Sequence, residues 1–407
     1  MAVGDGFTWQ TAIDPYSQAN SAPVLPDDAA TRDGVHSARR PVNVPVDRVA
    51  ASDALWPETA RRAAFLRPSL WRALTIATTE LAAVLTFIVV AVSPLPTIVN
   101  VAAAIIAGLL IGTLFTVGHD ACHQSLTRHR VLNDWIGRIA FVPSAHARSL
   151  WILGHNRIHH GYTNLRGRDY VWEPMSPDEY RQASAARRAI YRLYRSRVGA
   201  LPYYFVEMWW KKNFVPIAPE ARREWRAHVF DSAFVAIAWL GFVAAIIWLG
   251  KILSPDRSLW ETALLGWLLP FLVFNWTIGW IIYVHHTHPA VPWWDDAREW
   301  TATRASIVST LQVRLPQPLH AISNNIMDHN AHHAAPAIPL YRLHEAQTDL
   351  RRRFADIRHY YLTPAAYVGI VDACKLYDSA ARCWTDFDGV PTGPACSPND
   401  QQQRKGP

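Results

Sequence analysis

Apolar residues along this chain gather into four long windows instead of alternating with polar ones. The windows lie at about 72–92, 98–117, 229–250 and 262–284. As a helix, each is long enough to cross roughly 30 Å of hydrocarbon. The first contains Glu80, and an ionisable group in a spanning helix is expected to face protein, away from lipid. The connections SPLPT and KILSPDRSLWE are too short to be anything but turns. The windows therefore pair into two hairpins, and the bulk of the chain, 118–228 and 285–390, falls on one side as a helical cap. The expected fold is an all-α, multi-pass integral membrane protein.

Charge orients this arrangement. Arg61, Arg62, Arg67, Arg72, Arg128, Arg130, Arg138, Lys211, Lys212, Arg222, Arg223 and Arg226 flank the windows on the cap side. The opposite turns hold only Lys251 and Arg257. The positive-inside rule then makes the cap and both termini cytoplasmic. The formal charge of +7 follows from topology, and no basic stretch interleaved with stacking aromatics calls for a nucleic-acid partner. Among the 19 tryptophans, Trp209, Trp210, Trp293 and Trp294 read as interfacial anchors. Cys122, Cys374, Cys383 and Cys396 form no CxxC pair, which fits a reducing compartment without a disulfide framework. Residues 1–55 lack periodicity and read as a disordered tail. Residues 56–390 then form the membrane domain, and 391–407 a flexible C-terminal tail.

Histidine is distributed as unevenly as hydrophobicity. Three boxes stand out: HDACH (His119, His123), HNRIHH (His155, His159, His160) and HNAHH (His329, His332, His333). A fourth cluster, HHTH, brings His285, His286 and His288 to the end of the last window. Spacings of three or four put two side chains on one helix face, so each box can offer a pair of imidazoles to one point. The adjacent histidine in the second and third boxes is turned about 100° away and can reach a second point. Two nearby metal ions shared among helices are the expectation, although imidazole suits zinc, copper, iron and nickel alike. Isolated histidines (His36, His129, His228, His344, His359) read as interfacial polar residues, and Cys122 points away from the box face.

With its boxes, GRDYVWEP, HHTHPAVPWWDDAREW and DHNAHHAAPAIPLYRL, the chain resembles the membrane-bound fatty acid desaturase superfamily over about 70–390. Within it, the acyl-lipid Δ12 (omega-6) branch is most similar. The resemblance implies that His119, His123, His155, His159, His160, His329, His332 and His333 ligate a non-haem di-iron centre. It favours His286 as a ninth ligand, whereas helical periodicity alone favours His285 with His288. Relatives carry another histidine before the third box, where this chain has SNNIMDH; Asn324 stands at that place and His320 is a substitute. Asp120, Asp169 and Asp328 lie beside boxes, where a carboxylate either accepts the outer ring N–H of a ligand or is simply solvated.

The reaction implied is O2-dependent removal of two hydrogens from a membrane lipid or acyl-thioester chain. Hydroxylation, acetylenation and ketolation share the same boxes. No HPGG haem segment and no CxxC pair is present, so the two electrons are expected from a separate ferredoxin or cytochrome. The basic strip from Arg181 to Arg197 would dock an acidic donor or lie on anionic headgroups. Outside the superfamily, the alternatives are a zinc-dependent membrane hydrolase, a metal transporter and a b-type cytochrome.

Overall fold

The computed structural model describes residues 54–56 and 59–395. His36, Cys396 and most of both expected tails lie outside those residues. Leu55, assigned to the tail by composition, is buried, and the neighbouring Trp56 indole N–H donates to Asp349 at 3.1 Å.

Among the described residues, four helices are long and apolar enough to cross a membrane: α1 (Leu70–Val92), α2 (Thr97–Cys122), α3 (Trp225–Leu253) and α4 (Leu259–His286). They carry their apolar surface outward. Trp71, Ile98, Phe230, Ile237, Leu240 and Trp248 are all exposed, as expected where lipid tails replace water as the solvent. The helices begin and end close to the apolar windows, but α2 continues five residues past Val117 without a break and becomes wholly buried from Leu114 to Cys122. Pro270 interrupts α4. The helix accommodates it with a π-turn at Leu264–Leu268 just upstream, so that Pro270 opens the following α-helical stretch, where a missing N–H costs little.

The two short turns meet. The Arg257 guanidinium donates to Ser93 O at 3.2 Å and to Asn100 Oδ1 at 2.8 Å, and Ser254 Oγ donates to Val92 O at 2.9 Å. Carbonyls left open at the end of α1 are satisfied this way. Glu80 faces protein, as expected. Its carboxylate accepts from the Thr113 hydroxyl of α2 and from Asn324 Nδ2 at 3.2 Å.

The rest of the described residues form mainly short helices, with two small two-stranded sheets that an all-α reading did not include. β1 (Gln312–Arg314) pairs in parallel with β2 (His359–Tyr361), and β3 (Leu376–Asp378) pairs antiparallel with β4 (Cys383–Thr385). The β1 segment ties the end of α4 to the loop that leads into α5 (His329–Ala334), because Leu311 N donates to His285 O at 3.1 Å and Val313 N to Met327 O at 3.1 Å. Trp209, Trp293 and Trp294 are buried rather than interfacial; only Trp210 of that group is exposed. Their indoles are held inside, for example Trp209 on Ala145 O at 3.0 Å and Trp294 on Ser309 Oγ at 2.9 Å. In the basic strip, Arg195 is fully buried, donates to Trp172 O at 2.7 Å and sits among the rings of Trp172, Tyr191, Tyr283 and Trp384. It cannot serve a docking face.

Close approach of α2 to α4 depends on Gly108, where an added Cβ would lie 2.6 Å from both Pro270 O and Val273 Cβ. Gly108→Val should therefore cost on the order of 1–3 kcal/mol through overpacking and lower the thermal midpoint of the detergent-solubilised protein. Gly241→Ala, which meets nothing within 4 Å, should leave that midpoint unchanged or raised. Equal midpoints for the Gly108 variant and the parent would contradict this packing.

Candidate metal centre

Four segments deliver the histidines. Because α2 stays helical through Cys122, His119 projects from its last turn, and His123 follows as the C-cap residue at φ −77° and ψ −3°. The second box lies on a π-helix, Ile152–His159, with His160 N bonded to His155 O at 2.9 Å. The third box occupies α5, and the HHTH cluster occupies the end of α4.

Nine imidazoles fall into two groups, each with one nitrogen per residue within 4.8 Å of all the others. His119, His123, His155, His160 and His332 form one, and His159, His286, His329 and His333 the other. In the first, His155 Nε2 lies 2.8 Å from His119 Nε2 and 3.0 Å from His160 Nε2. In the second, His286 Nε2 lies 3.2 Å from His159 Nε2 and 2.9 Å from His329 Nε2, with His333 Nε2 3.0 Å from His329 Nε2. The third box divides as α-helical spacing directs, His329 with His333, four apart. The second box does not. Its pair is His155 with His160, five apart, because the i→i+5 repeat of a π-helix brings those two into line, and His159 is sent to the other group.

The outer nitrogens explain which way the lone pairs point. His159 Nδ1 donates to Asp169 at 3.0 Å, and Asp169 is itself fixed by the backbone N–H groups of Asn164 (2.9 Å) and Val171 (3.1 Å). His286 Nδ1 faces Ser309 O at 3.2 Å, an acceptor only, so that nitrogen carries the proton. The Thr163 hydroxyl donates to His159 O at 2.9 Å and so accepts from His333 Nδ1 at 3.1 Å. Three of the four imidazoles in the second group thus have their protons committed outward and bare Nε2 lone pairs converging inward. The His159 and His286 lone pairs, 3.2 Å apart, repel unless a cation lies between them. Two nitrogens bound at right angles to one ion at about 2.1 Å would sit about 3.0 Å apart, close to the observed spacing. The donor set fits a pair of nitrogen-ligated metal ions.

Similarity to known proteins agrees with this geometry. The sequence model described as fatty acid desaturase matches residues 96–365. The chain belongs to the fatty acid desaturase family. It is 28% identical over 283 residues to the chloroplastic omega-6 fatty acid desaturase of Arabidopsis thaliana, covering 67% of this chain and 58% of that protein. It is 26% identical over 277 residues to the sn-1 oleoyl-lipid 12-desaturase of a Picosynechococcus species, covering 67% and 76%. It is 29% identical over 243 residues to the enzyme of that name from a Synechocystis species, covering 59% and 65%.

Electrostatics in this family member keep five of the ligand candidates in their metal-binding form. Burial first, and then the surrounding imidazoles, hold His155, His160, His329, His332 and His333 well below the usual histidine range, so they are neutral at physiological pH. His332 is completely buried, and neither of its ring nitrogens has a hydrogen-bond partner. In the HHTH cluster only His286 enters a group. His285 stacks on His329 at 4.0 Å between ring centres, and His288 Nδ1 turns back to accept from Ala290 N at 3.1 Å.

The remaining candidates separate in space. Asp120 Oδ1 lies 3.4 Å from His119 Nδ1, while its other oxygen accepts from Leu340 N at 2.6 Å. Asp328 does not meet a box histidine; His320 (2.9 Å), His344 (3.0 Å) and Gln312 (2.7 Å) hold its carboxylate. His320 therefore stands with Asp328, outside both groups. Asn324 donates to Glu80, Thr113 O and Thr116 Oγ1. His129 and His359 are exposed, His228 is buried on Ser149 Oγ at 3.0 Å, and His344 is engaged with Asp328 rather than free at an interface. Cys122 is buried and in neither group. Sequence reasoning missed Thr163 and Ser309, whose roles depend on tertiary contact and leave no spacing signal. It also passed over His146, a buried histidine satisfied by Ser144 O and the Tyr204 hydroxyl.

Asp169→Asn should weaken metal binding about 10–100-fold, the usual effect of removing an outer carboxylate from a ligand histidine, as measured by chelator competition. His286→Ala should lower metal content per chain, and His288→Ala should not. Equal loss in both variants would contradict the grouping.

Proposed function

We propose that this chain is an acyl-lipid desaturase of the Δ12 (omega-6) type. It would convert –CH2–CH2– with O2, two electrons and two protons into –CH=CH– and two waters. The observation that carries the reading is the pair of convergent imidazole groups at the ends of apolar helices, with no carboxylate in either group. His119, His123, His155, His160 and His332 would hold one iron, and His159, His286, His329 and His333 the other. Two irons, when bound, supply the dioxygen chemistry that no side chain can perform.

The chain's own residues do the rest. Asp169, Ser309 and Thr163 keep ring protons on the outer nitrogens, and burial keeps His155, His160, His329, His332 and His333 neutral. The burial of His159, His160, His332 and His333 restricts water at the centre. The Δ12 position and the lipid-borne acyl substrate rest on the names of the relatives, of which this chain spans 58% in the Arabidopsis case. The two electrons would come from a separate ferredoxin or cytochrome.

The same reading includes the topology: two membrane hairpins, a cap made of 118–228 and 285–390 within a domain spanning 56–390, and cap and termini on the cytoplasmic side. Contact between the two turns through Arg257 and Ser254 supports placing both turns at one membrane face.

Expression in a host that lacks polyunsaturated lipids, followed by mass spectrometry of its fatty acids, tests the activity. Oleoyl chains should become 9,12-dienes, and His332→Ala should produce none while remaining membrane-inserted. A hydroxylated or acetylenic product would move the chain to the sister reactions, and an unchanged profile with iron and a donor present would reject the proposal. For topology, a reporter fused after Pro407 should be active only in the cytoplasm.

A further inference from the structure

We propose that His320, Asp328 and His344 form a third metal site, separate from the two imidazole groups, for a divalent cation of the zinc class. Three elements converge there. His320 lies in the Gln317–Ile322 helix, Asp328 immediately precedes α5, and His344 opens the Leu343–Arg353 helix. His320 Nε2 and His344 Nδ1 lie 2.9 and 3.0 Å from the same oxygen, Asp328 Oδ2, and the three ligand atoms are mutually within 4.8 Å. The same 4.8 Å limit holds among the ligand atoms of each box group.

The donor set is two imidazoles and one carboxylate, a combination that binds first-row divalent ions while leaving positions open. Its environment differs from that of the box groups. His320 and Asp328 are buried, but the His344 side chain is 51% exposed, so a hydrated ion can enter from solvent and keep waters as its remaining ligands. Gln312 supplies a second sign. Its Nε2 donates to the other Asp328 oxygen at 2.7 Å, while its buried Oε1 has no hydrogen-bond partner, an open acceptor next to the cluster for a water carried by the ion.

The competing arrangement is a hydrogen-bonded triad in which both rings donate N–H to Asp328 Oδ2. Arg351, near enough to sense the Asp328 charge, favours that arrangement by reducing the local negative potential. Metal binding requires His320 to carry its proton on Nδ1 and His344 on Nε2, a tautomer change in each ring with no net loss of protons. A cation held there would fix Asp328, and with it the start of the helix that bears His329, His332 and His333.

The experiment compares the purified full-length protein with His344→Gln after equilibration with micromolar zinc and gel filtration, counting zinc and iron per chain by elemental mass spectrometry. One zinc fewer in the variant, with iron unchanged, is the expected result. Because the readout is the difference between the two proteins, it is independent of whether the box groups hold iron. His320→Gln should repeat the loss. Equal zinc in parent and variant would overturn the proposal, as would parallel loss of iron, which would make the cluster part of the box centre.

Discussion

Converging imidazole lone pairs repel one another, and much of the fold around this centre exists to hold them together regardless. His159 Nε2 and His286 Nε2, 3.2 Å apart on a π-helix and on α4, both have their ring protons placed outward, so mutual attraction cannot hold that pair. They are kept there from behind. Asp169, the Ser309 carbonyl and the Thr163 hydroxyl each take an outward proton, which fixes ring orientation and exposes the inner lone pair. Those partners are braced in turn: Asp169 by two backbone N–H groups, and Ser309 Oγ by the Trp294 indole. A buried network of this kind is useful only when complete, because each missing partner leaves an unsatisfied polar group in a low-dielectric interior.

The apolar scaffold serves the same end. A membrane helix hydrogen-bonds its own backbone and is therefore a rigid arm. By running unbroken from Thr97 to Cys122, α2 carries His119 at its tip. Gly108 lets α4 lie against α2, which brings the His286 end of α4 towards that tip. The Glu80–Asn324–Thr116 contacts do comparable work from the third box side, linking α1, α2 and the loop before α5. Asn324 and Asn325 both adopt positive φ, +55° and +58°, a conformation that asparagine tolerates better than most residues. It turns Asn324 Nδ2 into the helix pair.

How much of this could be read in advance depends on whether the signal was local. The spans and the helical boxes were legible because hydrophobic windows and HxxxH or HxxHH spacings are written in consecutive residues. The grouping of the second box was not, since nothing in HNRIHH announces an i→i+5 helix, and an α-helical wheel puts His155 with His159 instead of His160. The burial of Trp209, Trp293 and Trp294 was also hidden. Tryptophan suits an interface and a core equally well, and only tertiary neighbours decide between them. His344 looked isolated along the sequence, yet it meets Asp328, sixteen residues away, across a turn that sequence spacing does not encode.

Charge explains why the site is built from histidine. Asp120 and Asp169 are both fully buried beside the box groups, and each lies against an imidazole: Asp120 Oδ1 is 3.4 Å from His119 Nδ1, and Asp169 accepts from His159 Nδ1. Removing a carboxylate from water costs several kcal/mol unless an opposite charge is near. A ring in its neutral, metal-binding form does not supply that charge. Cations held by the inner nitrogens would. Metals held there would offset carboxylates that are otherwise costly to bury, and Asp169 in turn fixes the His159 ring.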